Sequence, residues 1–173
     1  MQKWVLICGL LWASCNAFCQ ASTSAKSAET QLAPVAWFVG GTWVTDIKSP
    51  QSGAMVHVEN HITWAPNHAA IQFVTDFNGK PHYNGFYAYD ATAQAVKFFY
   101  TSESGDLSIG TATPDPDGKT LEQVFDITHP NGKVEHFRST IVRERDNAYQ
   151  FTVLGNHDGE WKPEFQVNYQ RKP

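Results

Sequence analysis

The residues best equipped for chemistry lie in the run His57-Val58-Glu59-Asn60-His61. On a strand, alternate side chains share a face, so His57, Glu59 and His61 line up together. Two imidazoles and a carboxylate are groups that zinc accepts, usually with a fourth protein ligand or a water. Distance works against the full set. Same-face neighbours stand roughly 6.6 Å apart, which puts His57 and His61 about 13 Å from each other. Bonds of about 2 Å cannot bridge that span, so only one adjacent pair can join. The expectation is no metal site, and a solvated outer face or a polar inner one.

His68, His82, His129, His136 and His157 are scattered through polar stretches where a neutral imidazole needs no special partner. Arg138 alternates in step with Val134, His136 and Thr140. Facing inward, its guanidinium could grip a ligand carboxylate through two hydrogen bonds; facing outward, it is solvated surface. The aromatic residues say more. Phe86, Tyr87, Tyr89, Phe98, Phe99 and Tyr100 crowd two neighbouring segments on both faces. Rings with a few hydroxyls suit an apolar or ring-bearing guest, and they equally make an ordinary β core. Phe86, Tyr87, Tyr89, Phe98, Tyr100 and Arg138 are therefore the candidate ligand-binding residues. No Ser-His-Asp spacing, nucleophile elbow, phosphate loop or cysteine nucleophile is present. Asp115, Asp117 and Gly118 resemble part of a calcium loop, but Pro114 and Pro116 interrupt it and no Glu follows at the needed distance.

These side chains sit on short stretches rich in Val, Ile, Thr, Phe, Tyr and Trp, with turn residues every eight to twelve positions, an all-β meander pattern. Ten strands are predicted: near 42–46, 56–64, 70–77, 82–90, 95–101, 107–113, 121–127, 134–142, 148–154 and 164–170. Asn78-Gly79 and Asn131-Gly132 fit type I′ hairpins, and Asp146-Asn147 fits one less well. Alternation puts Leu121, Gln123, Phe125 and Ile127 on one face, and treats Tyr149, Phe151, Val153 and Phe165, Val167, Tyr169 the same way. No helical apolar period follows residue 40, and only Leu32 to Val39 fits a helical turn. Closure into one antiparallel up-and-down barrel removes the exposed edges that an open sheet would leave, with a two-sheet sandwich as the structural alternative.

Trp37-Phe38-Val39-Gly40-Gly41-Thr42-Trp43 carries a Gly-x-Trp pattern behind an apolar turn. It resembles the opening of a lipocalin or fatty-acid-binding barrel. The Gly85-to-Asp90 stretch and Gly155-to-Trp161 are similar to an exported, lipocalin-like (calycin) bacterial family without a defined function. The resemblance implies a barrel over roughly residues 34 to 171, plugged by a short helical turn, with Trp43 beneath the plug and Arg171 as the basic residue over it. The doubled Gly40-Gly41 departs from the pattern and could loosen the start of the first strand. Nitrobindin-type barrels, which the fold also resembles, hold haem through a histidine, and His129, His136 and His157 are the positions such a role could fall on. The resemblance implies a fold and no reaction.

Met1 to Ala21 reads as a secretory signal peptide: Lys3, an apolar run from Trp4 to Ala13, then small residues. A run that short cannot cross a hydrocarbon core needing roughly twenty residues, and no later segment can either. Residues 22–31 are expected to be a flexible lead-in and residues 32–173 the barrel domain. Cys8, Cys15 and Cys19 all lie in the leader, which leaves the mature part without a thiol and keeps a lipid anchor on Cys15 or Cys19 as a lesser option. Losing Lys3 takes the formal charge from −4 to −5. A mildly acidic chain without a basic cluster has no electrostatic reason to bind nucleic acid. Three readings stay open: an exported, periplasmic or extracellular binder of a small apolar molecule, an enzyme using the same cavity with cofactor unknown, or a filled barrel with a structural role.

Overall fold

The computed structural model describes residues 27–49 and 52–172. The signal peptide expected at 1–21 lies outside them. The chain opens with α1 (Ala28–Leu32) and a 3-10 segment (Ala33–Phe38). Ten strands follow: β1 Thr42–Lys48, β2 Met55–Trp64, β3 Ala70–Phe77, β4 Lys80–Asp90, β5 Ala95–Ser102, β6 Leu107–Pro114, β7 Thr120–Thr128, β8 Val134–Arg145, β9 Ala148–His157 and β10 Glu160–Arg171. Each pairs antiparallel with its sequence neighbours, and β10 returns to β1, closing an up-and-down barrel. Among the described residues, no helix is long and apolar enough to cross a membrane.

α1 overlaps the end of the stretch expected to be a flexible lead-in, 22–31. The Ser27 hydroxyl accepts the Thr30 N–H at 3.2 Å and starts α1, and Leu32 is fully buried at its far end, so ordered structure begins before residue 32. Asn78 and Gly79 both take positive φ, as a type I′ hairpin requires. At Asn131-Gly132 only the glycine does, because His129 and Lys133 close a longer turn through the His129 N–H to Lys133 carbonyl bond. Asp158-Gly159 is the other two-residue turn with positive φ at both positions. It starts β10 at Glu160, four residues before the predicted start at 164.

Gly40 and Gly41 tighten the start of the first strand. Both hold positive φ, and the Gly40 N–H donates to the Ile62 carbonyl at 2.9 Å, tying the plug to β2. Two glycines inside strands make room for rings. A Cβ on Gly85 would stand 2.6 Å from Phe73 Cζ, and one on Gly110 would stand 2.9 Å from Phe98 Cε1 as well as striking the Val124 carbonyl. Gly110→Ala should lower stability by about 1–3 kcal/mol, the range for overpacking a dense core, read as a fall in the denaturant midpoint at unchanged slope.

Candidate functional site

The barrel has two unlike ends. At the plugged end, Leu32, Val35 and Phe38 descend onto Trp43, Ile71, Tyr87, Val96, Phe98, Leu121 and Tyr149, all buried. The Trp43 indole N–H donates to the Phe38 carbonyl at 2.7 Å, and the Arg171 guanidinium lies 4.5 Å from the Trp43 ring. Trp37 meets both Trp43 and Tyr149 edge-on, while Phe38 reaches Tyr87 and Tyr87 reaches Phe98. A buried polar chain runs through this packing: Ser139 Oγ donates to Gln123 Oε1 at 2.5 Å, and Gln123 Nε2 donates to the Tyr87 hydroxyl at 2.7 Å. Burial pushes the Tyr87, Tyr149 and Tyr169 phenols well above their ordinary range, so they stay neutral.

Toward the other end, the inward faces lose their cover. Phe73, Tyr83, Tyr100, Phe137 and Phe151 point into the barrel and are only partly buried. Phe165, on the same strand face as buried Tyr169, is 48% exposed. Phe73 and Tyr83 meet Tyr100, which meets Phe125, which stacks on Phe137, so these rings form an aromatic bowl above the sealed half. Burial pushes the Tyr100 phenol up to about 12, leaving an uncharged hydroxyl there.

The rim of the bowl carries histidines held by carboxylates. His129 meets Asp106 through Nδ1 at 2.8 Å and Glu135 through Nε2 at 2.9 Å. Ser102 and Ser104 donate to the other oxygen of Asp106, and Lys133 donates to Glu135 at 2.6 Å. This cluster ties the β5–β6 loop to the β7–β8 loop. His157 Nε2 meets Glu164 Oε1 at 2.6 Å beside a cleft of about 170 Å³ that Glu135, Phe137 and Gly155 also line.

Of the six residues expected to line a ligand site, only Tyr100 stands in the bowl. Tyr87 and Phe98 are sealed beneath the plug, and Tyr89 packs beside them. Phe86 and Arg138 are on the outer wall, because each sits one place out of step with an inward neighbour, Tyr87 and Phe137. Phe86 pairs there with Phe99, and Arg138 lies over Trp161 at 4.3 Å. An internal arginine gripping a carboxylate is therefore ruled out at position 138. Of the bowl's other rings, alternation groups Phe125, Phe151 and Phe165 on apolar faces without marking them as ligand candidates, and Phe73, Tyr83 and Phe137 are not singled out. They share Tyr100's inward parity once the strand register is known.

His57, Glu59 and His61 also face outward. His57 meets Asp46 at 2.8 Å and Glu59 at 3.3 Å, His61 meets Thr42 Oγ1 at 3.1 Å, and Lys172 donates to Glu59 at 3.0 Å. The two imidazoles approach opposite oxygens of Glu59 in a row along the wall. The Asp46 bond, then that of Glu59, raises the His57 pKa. Asp115 accepts from the Thr120 and Lys119 N–H groups, so the calcium-loop fragment is a capped turn. The positions considered for haem do not fit it. His136 is outside with Asp126, His129 has both ring nitrogens engaged, and the cleft beside His157 is below the ~300 Å³ at which ligand pockets begin.

The sequence matches no protein family and no curated protein. The fold is shared with the crystal structure of Rv2717c from M. tuberculosis, at TM-score 0.60 and 13% identity over 83% of this chain and 98% of that one. At that identity the likeness is one of fold alone.

The rim cluster sets a pH dependence. Bonding to Glu135 and then Asp106 raises the His129 pKa, while Lys133 and His129 lower that of Glu135, and Ser104 and His129 lower that of Asp106. A raised histidine stabilises the fold fully below its unfolded value of about 6.5 and loses that contribution as pH rises through the raised value. The lowered carboxylates contribute above their ordinary range near 4 and stop contributing as pH falls through the lowered values. The latch should be tightest between about pH 4.5 and 6.5. In a proton NMR titration, His129 should show a midpoint above 6.5 that Asp106→Asn brings down; an unshifted midpoint in both proteins contradicts the latch.

Proposed function

We propose that this chain is an exported binding barrel that takes a small, neutral, ring-bearing molecule into the aromatic bowl at its open end. One observation carries the reading: the large inward-facing side chains of that half stay partly exposed while those directly beneath the plug are buried, with Phe165 at 48% and Trp43 at 0%. A barrel selected for stability alone gains from burying every inward ring, since aromatic burial dominates core energetics. Here Phe73, Tyr83, Tyr100, Phe137 and Phe151 stay partly exposed on inward faces, an apolar surface that a small guest could cover.

The charge at the rim supports the ligand class. Asp106, Glu135 and Glu164 stand at the opening, three carboxylates against Lys133 and the His129 and His157 imidazoles, and the arginine that would have balanced a guest's carboxylate is outside. A fatty-acid headgroup would meet repulsion there, whereas an uncharged ring bearing an amine or hydroxyl could donate to the carboxylates. Tyr100 supplies a neutral hydroxyl below them. Export rests on Lys3 and the apolar run from Trp4 to Ala13, and a closed ten-strand barrel is compatible with a carrier role.

Fluorescence titration with 1-aminoanthracene, uncharged at pH 7, should saturate at one molecule per chain. Phe137→Ala should weaken that binding roughly tenfold, or about 1.4 kcal/mol. The carboxylate-bearing cis-parinaric acid should bind more weakly than 1-aminoanthracene. Tighter binding of the acid would overturn the ligand class, and no saturable binding of either would overturn the binding role.

A further inference from the structure

The barrel closes unevenly. β1 and β10 are registered only at Trp43↔Arg171 and Val44↔Gln170, beside the plug. The next shortest junction, β5 with β6, runs from Val96↔Ala112 to Thr101↔Leu107. Below Val44, residues Thr45 to Lys48 pair only with β2, and Glu160 to Tyr169 pair only with β9. Continuing the antiparallel register would set Ile47 opposite Val167, and that pair is not made. The backbone ladder between these two strands is therefore open from mid-wall to the rim, a slit in the pairing of a sheet that closes beside the plug.

Apolar side chains flank the slit. Ile47 on β1 and Val167 on β10 point inward and are only partly buried, and Phe165 is held edge-on against Phe151 at 5.6 Å. An unpaired strand edge ordinarily invites another strand, and β10 carries two devices against that. Pro163 lacks an N–H, and the register shifts between Pro163 and Phe165. The edge nearest the rim is thus kept unpaired by its own sequence, which suits a passage for a small molecule better than a seat for a peptide strand.

We infer that the slit between β1 and β10 is a side portal of the binding bowl: an elongated, uncharged apolar guest passes between Ile47 and Val167, and one end of it rests against Phe165. The inference rests on the binding role proposed above. It extends the site from the bowl rings to a second wall and favours flat or chain-like molecules over compact ones.

The test uses the full chain with 13C-labelled Ile, Leu and Val methyls and 1-aminoanthracene as the probe. Intermolecular NOEs should reach the methyls of Ile47 and Val167. In stopped-flow measurements, Val167→Arg should slow probe association at least tenfold with an unchanged far-ultraviolet spectrum. Phe165→Gln, at a position already half in water, provides the same kinetic readout if the arginine variant fails to fold, and should slow association about threefold. NOEs confined to methyls away from that junction, such as those of Ile127 on β7, with the folded variants associating at the wild-type rate, overturn the portal while leaving the bowl intact. Absence of saturable probe binding by the wild-type chain overturns the binding role, and the portal falls with it.

Discussion

The indole of Trp43 holds the plug to the barrel, and the rest of the structure is arranged around that contact. Its N–H reaches back to the Phe38 carbonyl at 2.7 Å, a bond that satisfies an otherwise orphaned group at the end of the 3-10 segment. Arg171 covers the ring from the last strand and also donates to the Trp37 carbonyl at 3.2 Å, so one side chain ties chain end, chain start and plug together. A buried Trp is worth ~3–5 kcal/mol against alanine, a large share of the marginal stability of a domain this size. With no cysteine in the described part of the chain, packing of this kind has to hold the closure.

Everything that follows is a gradient away from that contact. The short β1–β10 junction lies beside Trp43 because Arg171 and Gln170 are there, and below it the two strands part. Rings under the plug interlock and carry neutral phenols in a dry network. Rings beyond the middle of the barrel meet water, and the rim is held by histidine–carboxylate pairs whose geometry depends on charge. One half is built like a core and the other like a receptacle, and the two grade into each other through Phe98 and Tyr100 on a single strand, 6.3 Å apart and nearly parallel.

Much of the fold was legible in the sequence because period-two alternation survives in most strands. Leu121 to Ile127, Tyr149 to Val153 and Phe165 to Tyr169 face inward as the pattern requires, and Gly-Thr-Trp with Arg171 marks where the plug meets the wall. The site was less legible, for a physical reason. Alternation groups Phe86 with Ala88 and Tyr87 with Tyr89, but when both faces of a segment carry aromatics, nothing local says which is inside. That parity comes from the cross-strand register, and a one-residue choice moves every side chain to the other face. The rim cluster joins Asp106 to His129 across two loops, and the slit arises where pairing stops; neither leaves a mark on the linear pattern. Pro163 is the exception, an edge signal whose meaning depends on knowing that β10 has one neighbour over most of its length.

The division into a sealed and a receptive half is tested most directly by native-state hydrogen exchange, with and without 1-aminoanthracene. The Trp43 indole N–H should exchange only through global unfolding and show no change beyond that of overall stability, while amides of Tyr100 to Ser102 and of Ile127 should exchange far faster and slow strongly once the probe is added. A Trp43 indole exchanging as fast as the rim, or a probe that protects the plug and leaves the bowl untouched, would contradict the account.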